Sequence, residues 1–417
     1  MQHPENIQHS EHSQLAENTK PPEKIAVIDD DPYSEENLAN PYPLFERMRA
    51  AGPAVWLSLY DVLAFTHHQG VRDILVDHEG FISGAGVGPK NLHTEPAWRP
   101  QGILESDPPI HTPMRKAMAD VISPRGVRVL RAQFQEYADQ LVDQLIAKGE
   151  VDAVPEMAEL FPLRAFGDAV GIPREGRAEH LLPHGAMNFS AFGPVNERYH
   201  KTFERGEPSR PWVVAMCARE NLTPDGLGSQ IWAHADAGEI TSDQAVLLVR
   251  AMLSAGLDST VLAIGNTLGC LVDNPDQWER LREKPMLAKF AIDEALRLES
   301  PFQSFFRTTS RAMTFHGIDL AEGQKVLVFP GSANRDAEQW GPEADSYQIE
   351  RQAGGHLAFG MGIHQCVGQP ISRLEMDVLF TTLAKRVARI EPAGESAPYI
   401  HNTLKGYSSL PVRLIAA

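Results

Sequence analysis

The chain reads as a mainly α-helical fold with a small β region, and three observations predict it. Apolar residues recur at helical spacing over Pro124–Val170, Thr241–Asp273 and Pro370–Arg389. Alternation of period two is confined to short runs, Ala54-Val-Trp-Leu-Ser-Leu-Tyr60, Asp61-Val-Leu-Ala-Phe65 and Lys325–Phe329. After a polar start, no repeat or linker divides the 417 residues, so one large unit over 25–417 is expected.

Composition excludes several functions. Hydrophobic content of 42% and charged content of 22% are ordinary for a globular protein. A net charge of -17 is the wrong sign for nucleic acid or an anionic membrane surface. Cys217, Cys270 and Cys366 are odd in number and widely spaced, which fits neither a disulfide framework nor a zinc pattern, and points to a reducing, cytoplasmic setting. Residues 1–24 are polar without an apolar run, so a disordered tail is expected there, not a signal peptide or membrane anchor.

Taken in order, a helix is expected around Pro43–Ala51, then a hairpin over 54–65 and a helix around Gln69–Val76. Ser83-Gly-Ala-Gly-Val-Gly-Pro-Lys-Asn91 is glycine-rich and reads as loop. Asp107-Pro-Pro-Ile-His-Thr-Pro-Met-Arg115 leads into a helix on which His111 and Arg115 share a face, a pairing that suits a carboxylate or a capping region equally. Over 124–170 one buried stripe is expected from Leu130, Phe134, Tyr137, Leu141 and Leu145. Arg125, Arg128 and Arg131 form a basic flank. Further helices are expected at Leu181–Ala191 and Arg210–Glu220, with Phe189 and Phe192 as neighbouring rings.

Thr241-Ser-Asp-Gln244 forms a capping box, and Asn274-Pro275 stops the longest element. Some thirty residues at ~1.5 Å rise would span about 45 Å, enough to cross a domain. Arg250, Ser254 and Asp258 recur every four residues on this apolar helix. Unpaired buried polar groups cost free energy, so the stripe is expected to line a cavity. Gly256 permits a kink there.

The most informative stretch is Phe359-Gly-Met-Gly-Ile-His-Gln-Cys-Val-Gly368. Glycines let the backbone turn and approach a flat object. A thiolate at the start of the following helix meets unpaired N–H groups and the positive end of the helix dipole. The combination describes a cysteine held as metal ligand against a planar cofactor; the plain alternative is a buried cysteine beside a turn.

The pattern F-x-x-G-x-H-x-C-x-G resembles the haem-ligating loop of the cytochromes P450. Three further matches follow the family's order: His111/Arg115, Ala255-Gly-Leu-Asp-Ser-Thr260 and Glu294-Ala-Leu-Arg297. The resemblance implies a triangular-prism fold and haem b with Cys366 as thiolate ligand. It assigns Ala255, Gly256, Phe359, Gly360 and Gly368 to the haem surface, and His111, Arg115, Arg307 and His364 to its propionates. Asp258, Ser259 and Thr260 match the oxygen-activating motif, with Ser259 where threonine is usual. Glu294, Arg297 and Arg351 match a structural network. Dioxygen is the implied oxidant and a separate ferredoxin with its reductase the implied electron source, docking on the cysteine side through Arg125 and Arg128 or Lys385 and Arg386.

A cation in an apolar cavity calls for an anion, so Arg250 with Ser254 suits a substrate carboxylate. The same residues resemble the bacterial members that oxidise para-substituted benzoates, with Phe189, Phe192 and Phe305 matching the ring wall. A 4-methoxy group over the iron would be hydroxylated at its methyl carbon and released as formaldehyde. Ala251 departs from a serine common in those relatives, so Ser83, Lys90 or Asn91 could contribute instead. Arg250 could otherwise pair with Asp243. The rival functions are oxidation of a neutral terpenoid or other aromatic, and haem-thiolate binding without turnover.

Overall fold

The computed structural model describes residues 25–417; the expected tail over 1–24 lies outside them. The main sheet is built from β1 (Ala26–Ile28), β2 (Val55–Leu57), β3 (Val62–Phe65), β4 (Phe81–Ile82) and, from far along the chain, β5 (Phe305–Thr309) and β6 (Lys325–Val328). Its order is β1-β2-β3-β6-β5-β4. The expected 54–65 hairpin forms as β2 and β3, antiparallel, with Val55 opposite Ala64. β6 then runs parallel to β3 and antiparallel to β5.

Helices make up the rest, among them α1 (His111–Val121), α2 (Arg131–Lys148), α3 (Leu160–Val170), α4 (Arg177–Ser190), α5 (Ser242–Ala255), α6 (Asp258–Asp273), α7 (Ala288–Leu298) and α8 (Gln369–Arg386). Phe134, Tyr137 and Leu145 of α2 are buried as the stripe requires, while Leu130 and Leu141 pack at its margin. The largest core joins α1–α8 around α5 and α6. Smaller cores lie on the two faces of the sheet.

Four sequence expectations need correction. The helical run over 124–170 is broken by Gly149, at φ +80, and by a short strand Glu150–Asp152 that pairs with Pro411–Ala416. The long helix is two: its peptide chain leaves helical geometry at Gly256–Leu257. The last helix stops at Arg386, because the β-branched Val387 opens the strand Val387–Pro392. The C-terminal Thr403–Val412, which reads in sequence as a closing hairpin, does not pair with itself; Tyr407–Ser409 pairs with Ala397–Pro398, and Pro411–Ala416 with Val387–Pro392. Ser242–Asp273 is long and apolar enough to cross a membrane, but most of it is buried inside the fold, as befits a core helix.

Candidate active site

Cys366 sits at the floor of an internal cavity of about 280 Å³. The loop before it turns on Gly360 at φ +66 and Gly362 at φ +74, left-handed conformations that favour glycine. Its backbone folds back so that Cys366 N donates to Phe359 O at 2.8 Å. Sγ faces the cavity and is otherwise enclosed. Burial pushes the thiol up; the N–H groups of Gly368 and Gln369 and the Arg115 charge oppose this. The N–H groups at the helix start favour the charged form as expected, against the opposing effect of burial, and coordination to a metal would remove the thiol proton outright.

One side of this floor is cationic. His111 and His364 meet as tilted rings at 4.5 Å and 57°; the Nε2 of each is buried without a hydrogen bond among the described residues, and that of His364 lies 3.6 Å from Asp107 Oδ1. Arg307 is 3% exposed and donates only to Phe306 O, and burial lowers its guanidinium to about 10. Arg115 donates to Gln365 O at 2.6 Å. All four line the cavity. His111, Arg115 and Arg307 have no acid within ion-pair distance among the described residues, and His364 meets Asp107 only at 3.6 Å, so the rim keeps donors that call for an anion. A thiol floor, an apolar slot and a rim of unsatisfied donors fit haem, whose iron Cys366 would bind and whose propionates the rim would hold.

Opposite Cys366 runs the break between α5 and α6. A β-carbon at Gly256 would lie 2.3 Å from the ring of Phe166, so the close approach of α3 requires glycine there. The break frees carbonyls that local hydroxyls then take: Ser259 Oγ donates to Ala255 O at 3.1 Å and Thr260 Oγ1 approaches Gly256 O at 3.4 Å. Ser259 and Thr260 both line the cavity, and Thr260 also donates to Ser372 Oγ on α8 at 3.1 Å.

The polar stripe is not on this wall. Ala251, Met252, Ala255, Gly256, Ser259, Thr260 and Ala263 face the cavity, and Arg250, Ser254 and Asp258 lie on the adjoining face. The physical reason is helical phase: Ala251, Ala255, Ser259 and Ala263 recur at the same spacing one residue further on, about 100° around the axis, and it is their face that turns to the cavity. Asp258 packs on Gly185 of α4, with Oδ2 unpartnered; burial first, and Glu159 second, hold its carboxyl well above the usual range. Ser254 Oγ is buried and unpartnered. Arg250 reaches outward to Pro100 O at 2.7 Å, and its guanidinium is lowered to about 10 by burial and by Arg99. Its expected alternative partner Asp243 is not within ion-pair distance, and Glu105 is held by both ends of Arg99 at 2.8 and 2.9 Å.

Aromatic rings close the cavity. Phe189 and Phe305 line it, and Phe192 backs Phe189 at 5.9 Å. Sequence reading missed Phe302, which stacks on Phe305 at 5.2 Å and 4° and meets both other rings. It also missed Val87, Leu104 and Phe166. Phe302 stood three residues from Phe305 after a helix end, a signal available in principle; the others come from loop and helix positions with no chemical mark.

Behind the floor, Arg297 is wholly buried and pairs with both oxygens of Glu294 at 2.8 Å. It also caps Asn334 O and Ala344 O, and Arg351 binds Glu294 at 2.9 Å. The three residues expected to act as a scaffold thus meet in one network.

Comparison with known proteins places this geometry. The family model described as Cytochrome P450 matches residues 218–398. The chain is 45% identical to cytochrome p450 CYP199A2 of Rhodopseudomonas palustris, across 93% of this chain and 94% of that one. It is 31% identical to the vitamin D(3) 25-hydroxylase of Pseudonocardia autotrophica, across 92% and 96%. The solved structure of cytochrome P450 CYP109Q5 from Chondromyces apiculatus superposes with a TM-score of 0.77 at 29% identity, covering 94% of this chain and 99% of that one. With the cysteine floor, donor rim and broken distal helix in their places, the chain belongs to the cytochrome P450 family.

Proposed function

We propose that the protein hydroxylates or O-demethylates a small aromatic carboxylic acid such as a 4-methoxybenzoate. As a cytochrome P450 monooxygenase it is an oxidoreductase, and the haem with its Cys366 thiolate supplies dioxygen activation and C–H oxidation. The observation that carries the substrate reading is Arg250: a half-buried guanidinium with no acid partner among the described residues, beside an aromatic-walled cavity. It lies just outside the wall made by Ile103, Leu104 and Ala251. Arg99 and Arg210 beside it are paired with Glu105 and Glu207, which leaves Arg250 as the cation of this cluster without an acid of its own.

The chain's own residues then divide the work. His111, Arg115, Arg307 and His364 hold the propionates. Phe189, Phe302 and Phe305, backed by Phe192, orient the aromatic ring, and Arg250, which would have to turn from Pro100 O, receives the carboxylate end, with Ser254 beside it on the same helix face. Ser259 keeps a hydroxyl proton at the cavity wall, and Asp258, whose carboxyl burial raises, is the group that replaces it when it is spent. Electrons arrive from a redox partner, for which we favour a ferredoxin with its reductase. Arg125 and Arg128 are exposed on the cysteine side and make no ion pair among the described residues, whereas Arg386 is taken by Asp139 and Asp143. Residues 25–417 form the catalytic domain, and the setting is cytoplasmic.

Spin-state titration tests the substrate reading. 4-Methoxybenzoate should shift the haem to high spin, and its amide and methyl ester should not. A shift with the amide or ester alone would sink the carboxylate model and favour a neutral substrate. A shift without oxygenated product in a complete ferredoxin system would favour binding without turnover.

A further inference from the structure

The loop between β4 and α1 separates two cavities. On its inner side Val87 lines the cavity above Cys366. On its outer side Gly86–Lys90, with Trp98, Phe192 and Tyr199, enclose a smaller one of about 50 Å³. Val87 is the partition, 2% exposed and packed with Phe189, Phe192 and Leu404. The backbone carrying it has little stiffness of its own, since Gly86 sits at φ +94 with another glycine at 88.

The β5/β6 pair holds this segment instead. Phe306 N donates to Val87 O at 2.9 Å. Lys325 Nζ donates to Ala85 O at 2.9 Å and to Gly86 O at 2.8 Å. Three consecutive carbonyls are thus anchored, two of them by one ammonium. Lys325 makes no ion pair among the described residues. Burial pushes it down to about 7, with Arg307 acting in the same direction and Glu95 opposing. A long cationic side chain is half-buried here to hold two backbone carbonyls, at a desolvation cost that a fully exposed position would not carry.

We propose that Lys325 is a specificity-determining residue: by latching the carbonyls of Ala85 and Gly86 it keeps Val87 as a wall between the two cavities and limits the length of aromatic substrate admitted. The inference goes beyond the carboxylate reading and needs only that the cavity above Cys366 receive the substrate. Loss of the latch lets the wall yield and joins the outer space to the inner.

The test is spin-state titration of the haem-loaded wild type, Lys325→Met, Lys325→Arg and Val87→Gly. The probes are 4-methoxybenzoate and the two-ring 6-methoxy-2-naphthoate, and the methyl esters of both. The wild type should prefer the single ring by about tenfold or more in Kd. Lys325→Met and Val87→Gly should each cut that ratio at least fivefold, while Lys325→Arg, whose guanidinium can serve both carbonyls, should keep it. Hydrogen exchange at the amides of 84–92 should rise in Lys325→Met and not in Lys325→Arg. An indifferent wild type, or an unchanged ratio in Lys325→Met with its Soret band intact, overturns the proposal. If the acids fail to bind and the esters bind, the ester pair still reads the ratio, so the carboxylate reading fails alone.

Discussion

Asp258 rests its carboxyl on the backbone of Gly185: a β-carbon added to that glycine would lie 1.9 Å from Oδ2 and 2.7 Å from Cγ. Its neighbour Ser259 faces the cavity. The acid and the alcohol therefore lie on different faces of α6, one against α4 and one above the cysteine. The space that glycine leaves on α4 decides where the carboxyl sits.

Gly185→Ala should evict Asp258 from that seat and impair proton supply while leaving the aromatic wall intact. General acid–base groups contribute ~10²–10⁴-fold to rate, so a misplaced donor should cost about tenfold or more in product per reductant consumed. Asp258→Asn should cost at least as much. Both should keep the substrate spin shift. Product and hydrogen peroxide measured in the same reaction check this; unchanged coupling in Gly185→Ala would mean that the seat is irrelevant.

Arg250→Met should remove the preference for an acid over its ester. A charge-assisted contact to a carboxylate contributes ~1.5–3 kcal/mol, which is about 10- to 100-fold in Kd. The affinity for 4-methoxybenzoate should fall by that factor, and any weak binding of the ester should not. Equal losses for acid and ester would instead point to a collapsed wall.

Much of the site is legible in the amino-acid sequence. The cysteine loop, the His111/Arg115 pair and the Glu294/Arg297/Arg351 network are short motifs whose geometry follows from local turns and helical spacing, and they lie where the spacing puts them. The stripe Arg250–Ser254–Asp258 misleads because a four-residue recurrence marks one face of a helix without saying which way it turns; the residues one position on line the cavity instead. Which side faces the cavity is decided by contacts invisible in a single segment, namely Phe166 against Gly256 and Gly185 against Asp258. Val87 and Leu104 escape notice for a related reason: apolar loop residues acquire a role only when the chain folds them onto distant rings.

Arg297→Met should be among the most damaging single changes in the fold. It leaves Oε2 of the wholly buried Glu294 without its donor, with Arg351 and Gln348 N remaining on Oε1 alone, and leaves Asn334 O and Ala344 O without theirs. Breaking a buried pair by removing one partner costs about 3–5 kcal/mol. The variant should accumulate poorly and lose haem. Arg297→Lys should rescue little, because an ammonium cannot bridge both oxygens of Glu294 and two carbonyls at once. Haem content per chain after purification reads the effect, and full occupancy in Arg297→Met would contradict it.

Glu375 gives a pH prediction. It is 0% exposed on α8, neither oxygen has a partner among the described residues, and burial holds its carboxyl well above the usual range. Between the unfolded value of about 4.3 and the raised folded value, the unfolded chain has lost this proton and the native chain retains it. Stability therefore falls as pH rises through that window, by at most about 1.4 kcal/mol per unit from this group. Glu375→Gln should match the wild type near pH 4 and exceed it increasingly toward pH 8. Urea midpoints of the two proteins across that range test it; parallel curves would show that Glu375 does not titrate with unfolding.

Ser259→Thr should improve coupling. The Ser259 hydroxyl donates to Ala255 O at 3.1 Å, one of the carbonyls released where α5 gives way to α6. A serine can leave that contact through any of three staggered rotamers, some of which turn the hydroxyl away from the cavity floor. The extra methyl of threonine stiffens χ1 and makes those excursions costly. Restricting about three rotamers to one is a factor of roughly two to three in the population that presents the hydroxyl, so the share of reducing equivalents reaching product should rise about twofold. Spin shift and substrate Kd should change little, because the side chain borders the cavity without carrying the aromatic wall. If coupling falls instead, the methyl has closed on the cavity, and Ser259 is there for its small size.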